Sequence, residues 1–296
     1  MAGRLLIGDC RDMMRTLAPK SVHCCVTSPP YWALRDYGVD GQLGLERTPA
    51  EYVAAMVSVF DEVWRVLRDD GVCWINIGDS YASQGGSGQS RHWDEREKNI
   101  ETQSLRRIPI GGLKPKDLVG IPWRLAFALQ ERGWYLRQDV IWHKPNPMPE
   151  SVRDRCTKAH EYVFLLAKSD RYFFDAEAIS DVAVTAGKVN LGFSPERAES
   201  MGRSASGNER TGGRDLVRGE TRNRRSVWSI STHSYRGAHF ATYPPRLVEP
   251  CILAGTSAAG CCPTCGAQWR RVTEKNRVAT RPGEGSKVNG RETIEV

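Results

Sequence analysis

The stretch SVHCCVTSPPYW, residues 21–32, constrains this chain more than any other. Its first half is an apolar run that reads as a buried strand, and Pro29 and Pro30 cut it off. Each proline lacks a backbone donor and fixes its own φ, so neither can continue a strand inside a sheet. The strand must stop near Ser28 and hand over to a rigid exit that presents Tyr31 and Trp32. Taken alone, the exit could be a structural turn. Its neighbours in the sequence argue for more.

Short apolar runs alternate with helical patterns along the first half of the chain. RLLI (4–7) reads as a strand ending at Gly8-Asp9, 11–18 as a short helix and 21–27 as the buried strand. A polar loop, ALRDYGVDGQLGLE, then leads to Thr48, which with Pro49 and Glu51 makes a helix start: capping hydroxyl, first-turn proline, carboxylate three residues on. Val53, Met56, Val57, Phe60, Val63, Trp64 and Leu67 put one apolar face on this helix, which is expected to stop at Asp70-Gly71 before a strand over 72–79. Residues 80–114 show no periodicity and read as a mobile loop. Asp117 can cap a helix from Leu118 to about Gln130, followed by strands at 134–143 and 160–167. The arginine-rich segment 176–226 reads as an insertion, partly disordered by itself. A last strand (227–230) and a helix beginning near Pro244 complete the ordered pattern.

This rhythm predicts a mostly parallel sheet with helices on both faces. Ligands of such sheets sit beyond the C-terminal strand ends, so Gly8-Asp9, Ser28 to Trp32, and Gly78-Asp79 should converge on one cleft. No run approaches the about 18 apolar residues of a membrane span, and MAGRLLIGDCRDMM is no secretory leader. Nine cysteines, two pairs of them adjacent, suit reduced thiols in a cytoplasmic protein better than a disulfide framework. The net charge of +7 suits an anionic partner without identifying one.

TSPPYW is similar to the (D/N/S)-P-P-(Y/F/W) motif of AdoMet-dependent DNA amino-methyltransferases, the N4-cytosine/N6-adenine family. The flanks agree: LLIGDCRDMMRTLAPKSVHCCVTSPPYWALRDYG, INIGDSY, LRQDVIWHKPNPMPESVRDR, KAHEYVFLLAKSDRYFFD and HFATYPPRLVEPCILAGTS all resemble it, covering roughly 1–175 and 227–265. The order resembles the permuted group, in which the catalytic half precedes the main cofactor motif. The resemblance implies an α/β, Rossmann-like AdoMet-dependent methyltransferase sheet and DNA methylation of the restriction-modification kind.

The motif then has a chemical reason. An exocyclic amine is a weak nucleophile because its lone pair is delocalised into the base. Acceptors pulling on both N–H bonds let the nitrogen move toward sp³ and aim that pair at a methyl donor. The resemblance gives this role to Ser28 and the carbonyl of Pro29, with Pro30 stiffening the carbonyl and Tyr31 stacking on a base swung out of the duplex. The ring face can also stabilise positive charge on the nitrogen by about 1 kcal/mol.

By the same resemblance, Asp9 accepts a hydrogen bond from the adenine amine of S-adenosyl-L-methionine (AdoMet), the alternative being a cap on the following helix. Phe240, Ala241, Thr242, Tyr243 and Pro244 match the segment that closes over the methionine part of the cofactor. Candidate contacts to double-stranded DNA are Trp32, Arg35 and Lys144, with Arg214, Arg218, Arg222, Arg224 and Arg225 in the insertion that reads the target sequence. Ser28 in place of aspartate favours cytosine N4 over adenine N6 as the acceptor.

Other chemistries fit less well. Pro250-Cys251 looks like the Pro-Cys pair of cytosine-C5 enzymes, but its apolar neighbours mark a packed core thiol. No HExxH occurs, and GGSGQS (85–90) lacks a phosphate-loop lysine. Cys262 and Cys265 have zinc-knuckle spacing, half of a four-ligand site.

The family pattern also includes D-P-F-x-G-S-G-T near the C-terminus, and no such run follows Trp269. The expected organisation is a catalytic half (1–175), a target-recognition insertion (176–226), a cofactor-side segment of the same domain (227–258) and a polar cysteine-containing tail (259–296), with the C-terminal cofactor-motif strands lacking. A second chain or a missing C-terminal part would complete the cofactor site. The alternative to a working enzyme is a non-catalytic DNA-binding remnant.

Overall fold

The computed structural model describes residues 3–82, 113–183, 221–233 and 242–272. Two compact units divide the chain, Met1–Phe174 with Ser226–Thr256, and Asp175–Arg225 with Ser257–Val296.

The first unit holds a five-stranded sheet. Its elements in chain order are α1 (Cys10–Arg15), β1 (Val22–Thr27), α2 (Pro49–Val66), β2 (Leu67–Ile77), α3 (Ile121–Glu131), β3 (Tyr135–His143) and β4 (His160–Ala167). The second unit's β5 (Asp181–Val182) and β6 (Thr221–Arg222) come next, then β7 (Val227–Ser229) and α4 (Pro245–Gly255) of the first unit. The sheet order is β1-β2-β4-β3-β7. β1 runs parallel to β2, with Cys24 beside Val72 and Thr27 beside Ile75. β4 lies antiparallel between β2 and β3, and β7 runs parallel to β3. The sheet is therefore mixed: four strands share a direction and β4 opposes them.

Strand alternation sorts the core between two faces. Cys73, Ile75 and Ile77 of β2 and Phe164 and Leu166 of β4 pack against Tyr52, Met56 and Phe60 of α2 and Leu125 and Leu129 of α3. Burying each large apolar side chain here contributes about 1.5–3 kcal/mol. The opposite face carries α4. A Cβ on Gly255 would lie 2.6 Å from Cys24 Sγ and 2.8 Å from Val72 Cγ2, so α4 presses its last turn directly on β1 and β2.

The helix start at Thr48 forms as expected, with the hydroxyl accepting from Glu51 N–H and the Glu51 carboxylate accepting from Thr48 N–H, both at 3.2 Å. Other expectations are corrected. RLLI forms no strand, and Leu5 and Ile7 are each 83% exposed; among the described residues β1 is an edge strand, with β2 its only sheet neighbour. α2 ends at Val66 rather than Asp70, because fully buried Leu67 already pairs with Val22 in the sheet. Asp117 does not cap α3: its carboxylate accepts from Lys114 N–H at 2.9 Å within a turn, and the helix begins at Ile121. The loop expected over 80–114 lies mostly outside the described residues, as does most of the arginine-rich insertion. Among the described residues no helix is long and apolar enough to cross a membrane.

In the second unit, β5 and β6 pair antiparallel, Asp181 opposite Arg222. A tight turn brings Cys261 opposite Gln268, with Cys262 N–H donating to the Ala267 carbonyl and Gly266 N–H to the Cys262 carbonyl, each at 2.8 Å.

Candidate active site

The C-terminal ends of β1 and β2 lie side by side, and the diproline exit leaves from the first of them. Ser28 is half-buried and Pro29 buried. Tyr52, fully buried on α2, donates its hydroxyl to the Pro30 carbonyl at 2.8 Å. The Pro29 carbonyl accepts no hydrogen bond among the described residues. One proline carbonyl is thus tied to the core while the preceding one keeps its acceptor capacity. Gly44 packs against the exit: it has φ +100°, and a Cβ there would lie 3.1 Å from Pro30 Cβ.

Tyr31 is held by a polar cluster that the sequence reading did not single out. Its hydroxyl donates to Glu161 Oε2 at 2.7 Å and lies 3.2 Å from Asn76 Oδ1. Asn76 Nδ2 donates to the same Glu161 oxygen at 3.1 Å and to the Tyr162 carbonyl at 3.2 Å. The other Glu161 oxygen is ion-paired with Lys144 Nζ, whose ammonium sits 4.4 Å from the Trp142 ring centroid. Burial pushes the Tyr31 phenol well above its usual range, the Glu161 carboxylate pushes it further, and the Ser28 hydroxyl acts the other way. The ring lies so close to Gly78 that a Cβ there would fall 2.7 Å from it. The signal available beforehand was Asn76, a lone amide in the apolar run VCWINI, which had to find a partner on being buried.

The Gly78-Asp79 end has a structural task. Asp79 Oδ1 accepts from Gly120 and Ile121 N–H at 3.0 Å each, capping α3 from 41 residues away. Lys158 Nζ donates to the Asp79 carbonyl at 3.2 Å, and burial is the main cause that lowers this lysine's pKa.

Asp9 caps α1, accepting from Arg11 N–H at 2.8 Å, and pairs with the Arg11 guanidinium at 2.7 Å. Hydrogen bonds from that side chain are the main reason its pKa falls to about 2. The carboxylate is nonetheless exposed. Tyr243 lines a narrow cleft between the sheet and α4, shared with Thr27, Trp74, Asn76, Leu247 and Cys251. Pro244 is the residue before α4, Thr242 is exposed, and Phe240 and Ala241 lie outside the described residues. The cleft brings the residue before Ser28 next to a segment more than 200 positions later. Cys251 is 1% exposed with Sγ 3.3 Å from the Leu247 carbonyl, a packed thiol.

Two expected DNA contacts are corrected. Trp32 is 4% exposed and donates its indole N–H to the Glu46 carbonyl at 2.9 Å, so it is a core residue. Lys144 is engaged by Glu161 and Trp142 and is no free phosphate contact. Arg35 and Arg225 are exposed, Arg222 and Arg224 half-buried, and Arg214 and Arg218 lie outside the described residues. Cys262 and Cys265 sit on the tight turn of the second unit. The Cys262 thiol is lowered by backbone N–H groups of Cys265 and Thr264. Among the described residues no three His, Cys, Asp or Glu side chains are placed to hold a metal ion, and a closed zinc site takes four ligands.

Residues 22–261 match the DNA methylase family of N6 and N4 enzymes. The chain belongs to this family. Among DNA methylases with which it compares are the Type II methyltransferase M.Cfr9I of Citrobacter freundii, 46% identical over 252 residues, which span 85% of this chain and 72% of that protein. The Type II methyltransferase M.SmaI of Serratia marcescens is 44% identical over 259 residues, 87% and 76% of the two chains. The fold resembles the PvuII DNA methyltransferase (cytosine-N4-specific), with a TM-score of 0.50 and 17% identity over 85% of this chain and 69% of that one. The chain is thus an AdoMet-dependent DNA methyltransferase of the N6/N4 family, and the Type II relatives support a restriction-modification setting.

The α4 cleft is narrow and lined mainly by apolar side chains, with Thr27, Asn76 and Tyr243 among them. The indole N–H of Trp74, on the cleft wall, is buried without a hydrogen-bond partner among the described residues, beside Thr27 and Tyr243.

Proposed function

We propose that this chain methylates the exocyclic N4 amine of cytosine in double-stranded DNA. The observation that carries the reading is the diproline exit: Pro30 is fixed to Tyr52 while Ser28 and the Pro29 carbonyl remain at the strand end as acceptors. An extruded cytosine would place one amine hydrogen on Ser28 Oγ and the other on the Pro29 carbonyl, directing the nitrogen lone pair away from the ring plane. Tyr31 lies against the base. Preorganised acceptors of this kind act only on the reacting geometry and so raise the chemical rate rather than overall binding.

When bound, AdoMet supplies an electrophilic methyl group. Tyr243, which lines the α4 cleft, its chain neighbours Thr242 and Pro244, and Asp9 are the residues that would hold it. Ser28 supports the pyrimidine amine as target because its short, neutral acceptor leaves an uncharged hydrogen bond there. Arg35, Arg222, Arg224 and Arg225 are the described residues suited to phosphate contacts.

Mass spectrometry of nucleosides from cells expressing the chain or its Ser28→Ala variant tests the reading. N4-methylcytosine is expected with the parent chain, falling about a hundredfold in the variant. N6-methyladenine in its place overturns the base assignment. No methylated base from well-folded protein favours the non-catalytic remnant instead.

A further inference from the structure

We propose that Glu161 is a positioning residue for catalysis, holding Tyr31 through its hydroxyl so that the ring faces the target base at a fixed place and with an enriched π-face. This rests on the base-stacking role just proposed for Tyr31 and extends it to a residue outside the motif.

A stacking platform needs only a ring, and phenylalanine would provide one. Tyrosine adds a buried hydroxyl, which is unfavourable unless bonded. Here it is bonded to a carboxylate whose every other contact is also fixed. Glu161 stands at the start of β4, Asn76 near the end of β2, Lys144 just after β3 and Tyr31 just after β1. One carboxylate therefore ties the ends of four strands to the aromatic residue of the motif. Its oxygens divide the work, Oε1 to Lys144 and Oε2 to Tyr31 and Asn76.

An ion pair with side chains only 19% and 16% exposed is a poor choice for stability alone, since desolvating both charges offsets most of their attraction. A pair of apolar side chains would hold β3 to β4 as well. The carboxylate does something they could not: it accepts from the phenol. A phenol donating to an anion becomes richer in ring electron density, and a richer face better stabilises an amine nitrogen gaining positive charge. Lys144 pairs with the carboxylate oxygen that the phenol does not use, its ammonium 4.4 Å from the Trp142 ring.

The test is a double-mutant cycle on the full chain with Glu161→Gln and Tyr31→Phe, measuring methyl transfer into plasmid DNA. Each single variant is expected to lower kcat about tenfold with KM for AdoMet and DNA within about twofold, the pattern of an interaction made in the transition state. The double variant is expected to be no slower than either single, because both remove the same charge-assisted bond from phenol to carboxylate. Multiplying effects, or a change in KM with kcat kept, overturn the proposal. Where Glu161→Gln lowers the melting temperature by stranding Lys144, the Glu161→Gln/Lys144→Met variant removes both charges. It is expected to restore melting but not kcat, and recovery of kcat would make Glu161 merely structural. Tyr31→Ala separates the two readings. Full activity in that variant defeats the stacking role itself, whereas its loss with wild-type rates in Glu161→Gln and Tyr31→Phe defeats only this inference. A parent chain that transfers no methyl group defeats both.

Discussion

Gly78 shows how narrowly single residues define this site. It directly follows β2, whose last five residues, CWINI, all carry apolar or amide side chains. Gly78 carries none because of Tyr31, whose Cε2 would lie 2.7 Å from an added Cβ. The aromatic ring, clamped at its hydroxyl by Glu161 and Asn76, has nowhere to go. Gly78→Ala is therefore expected to cost about 1–3 kcal/mol by overpacking, read as a lower denaturation midpoint. It should also depress methyl transfer more than its stability loss explains, because the ring must shift off its anchor. A variant with parental stability and rate would mean that Tyr31 is free to move. At this scale the sequence was legible where chemistry leaves a local mark. Ser28 to Tyr31 could be found from two prolines and the strand before them. Glu161 could not, because its meaning depends on a strand register that sets Asn76 against Val163 across 87 positions.

At the scale of elements, legibility followed the source of each boundary signal. α2 was readable because Thr48, Pro49 and Glu51 carry its start within four residues. α3 was misplaced because its cap comes from a distant strand end: Asp79 accepts from Gly120 and Ile121 N–H, while the nearby Asp117 is used in a turn. The reversal of β4 did have a sign in the sequence. Parallel neighbours need a crossover element, and the connection from 144 to 159 has Pro145, Pro147 and Pro149 and no helical period. The α3 cap allows a measurable claim. Asp79→Ala leaves those two N–H groups without their acceptor and is expected to destabilise the protein by about 1–2 kcal/mol in chemical denaturation, with Asp79→Asn recovering part of the loss. Asp117→Ala, by contrast, should stay within about 0.5 kcal/mol of the parent. The reverse ranking would put the cap back at Asp117.

Across the whole molecule, the candidate cofactor cleft joins an early strand of the first unit to its last helix. Thr27 and Val26 come from β1, Tyr243, Leu247 and Cys251 from the α4 region, and Gly255 seats α4 against Cys24 and Val72. The helix face was readable from the sequence, but the face of the sheet it would cover was not, since that depends on both strand pleat and chain path. Because one wall of the cleft is core, a ligand there must stabilise the unit that contains the sheet. With AdoMet at a hundred times its Kd, linkage raises the unfolding free energy by about 2.7 kcal/mol, which appears as a melting temperature several degrees higher. Tyr243→Ala is expected to abolish that rise while leaving the unliganded melting temperature within a few degrees of the parent. Glu161→Gln, which acts on the base side, should keep the rise. An unchanged melting temperature for the parent chain at millimolar AdoMet would detach the cleft from the cofactor and leave the diproline exit without a methyl donor beside it.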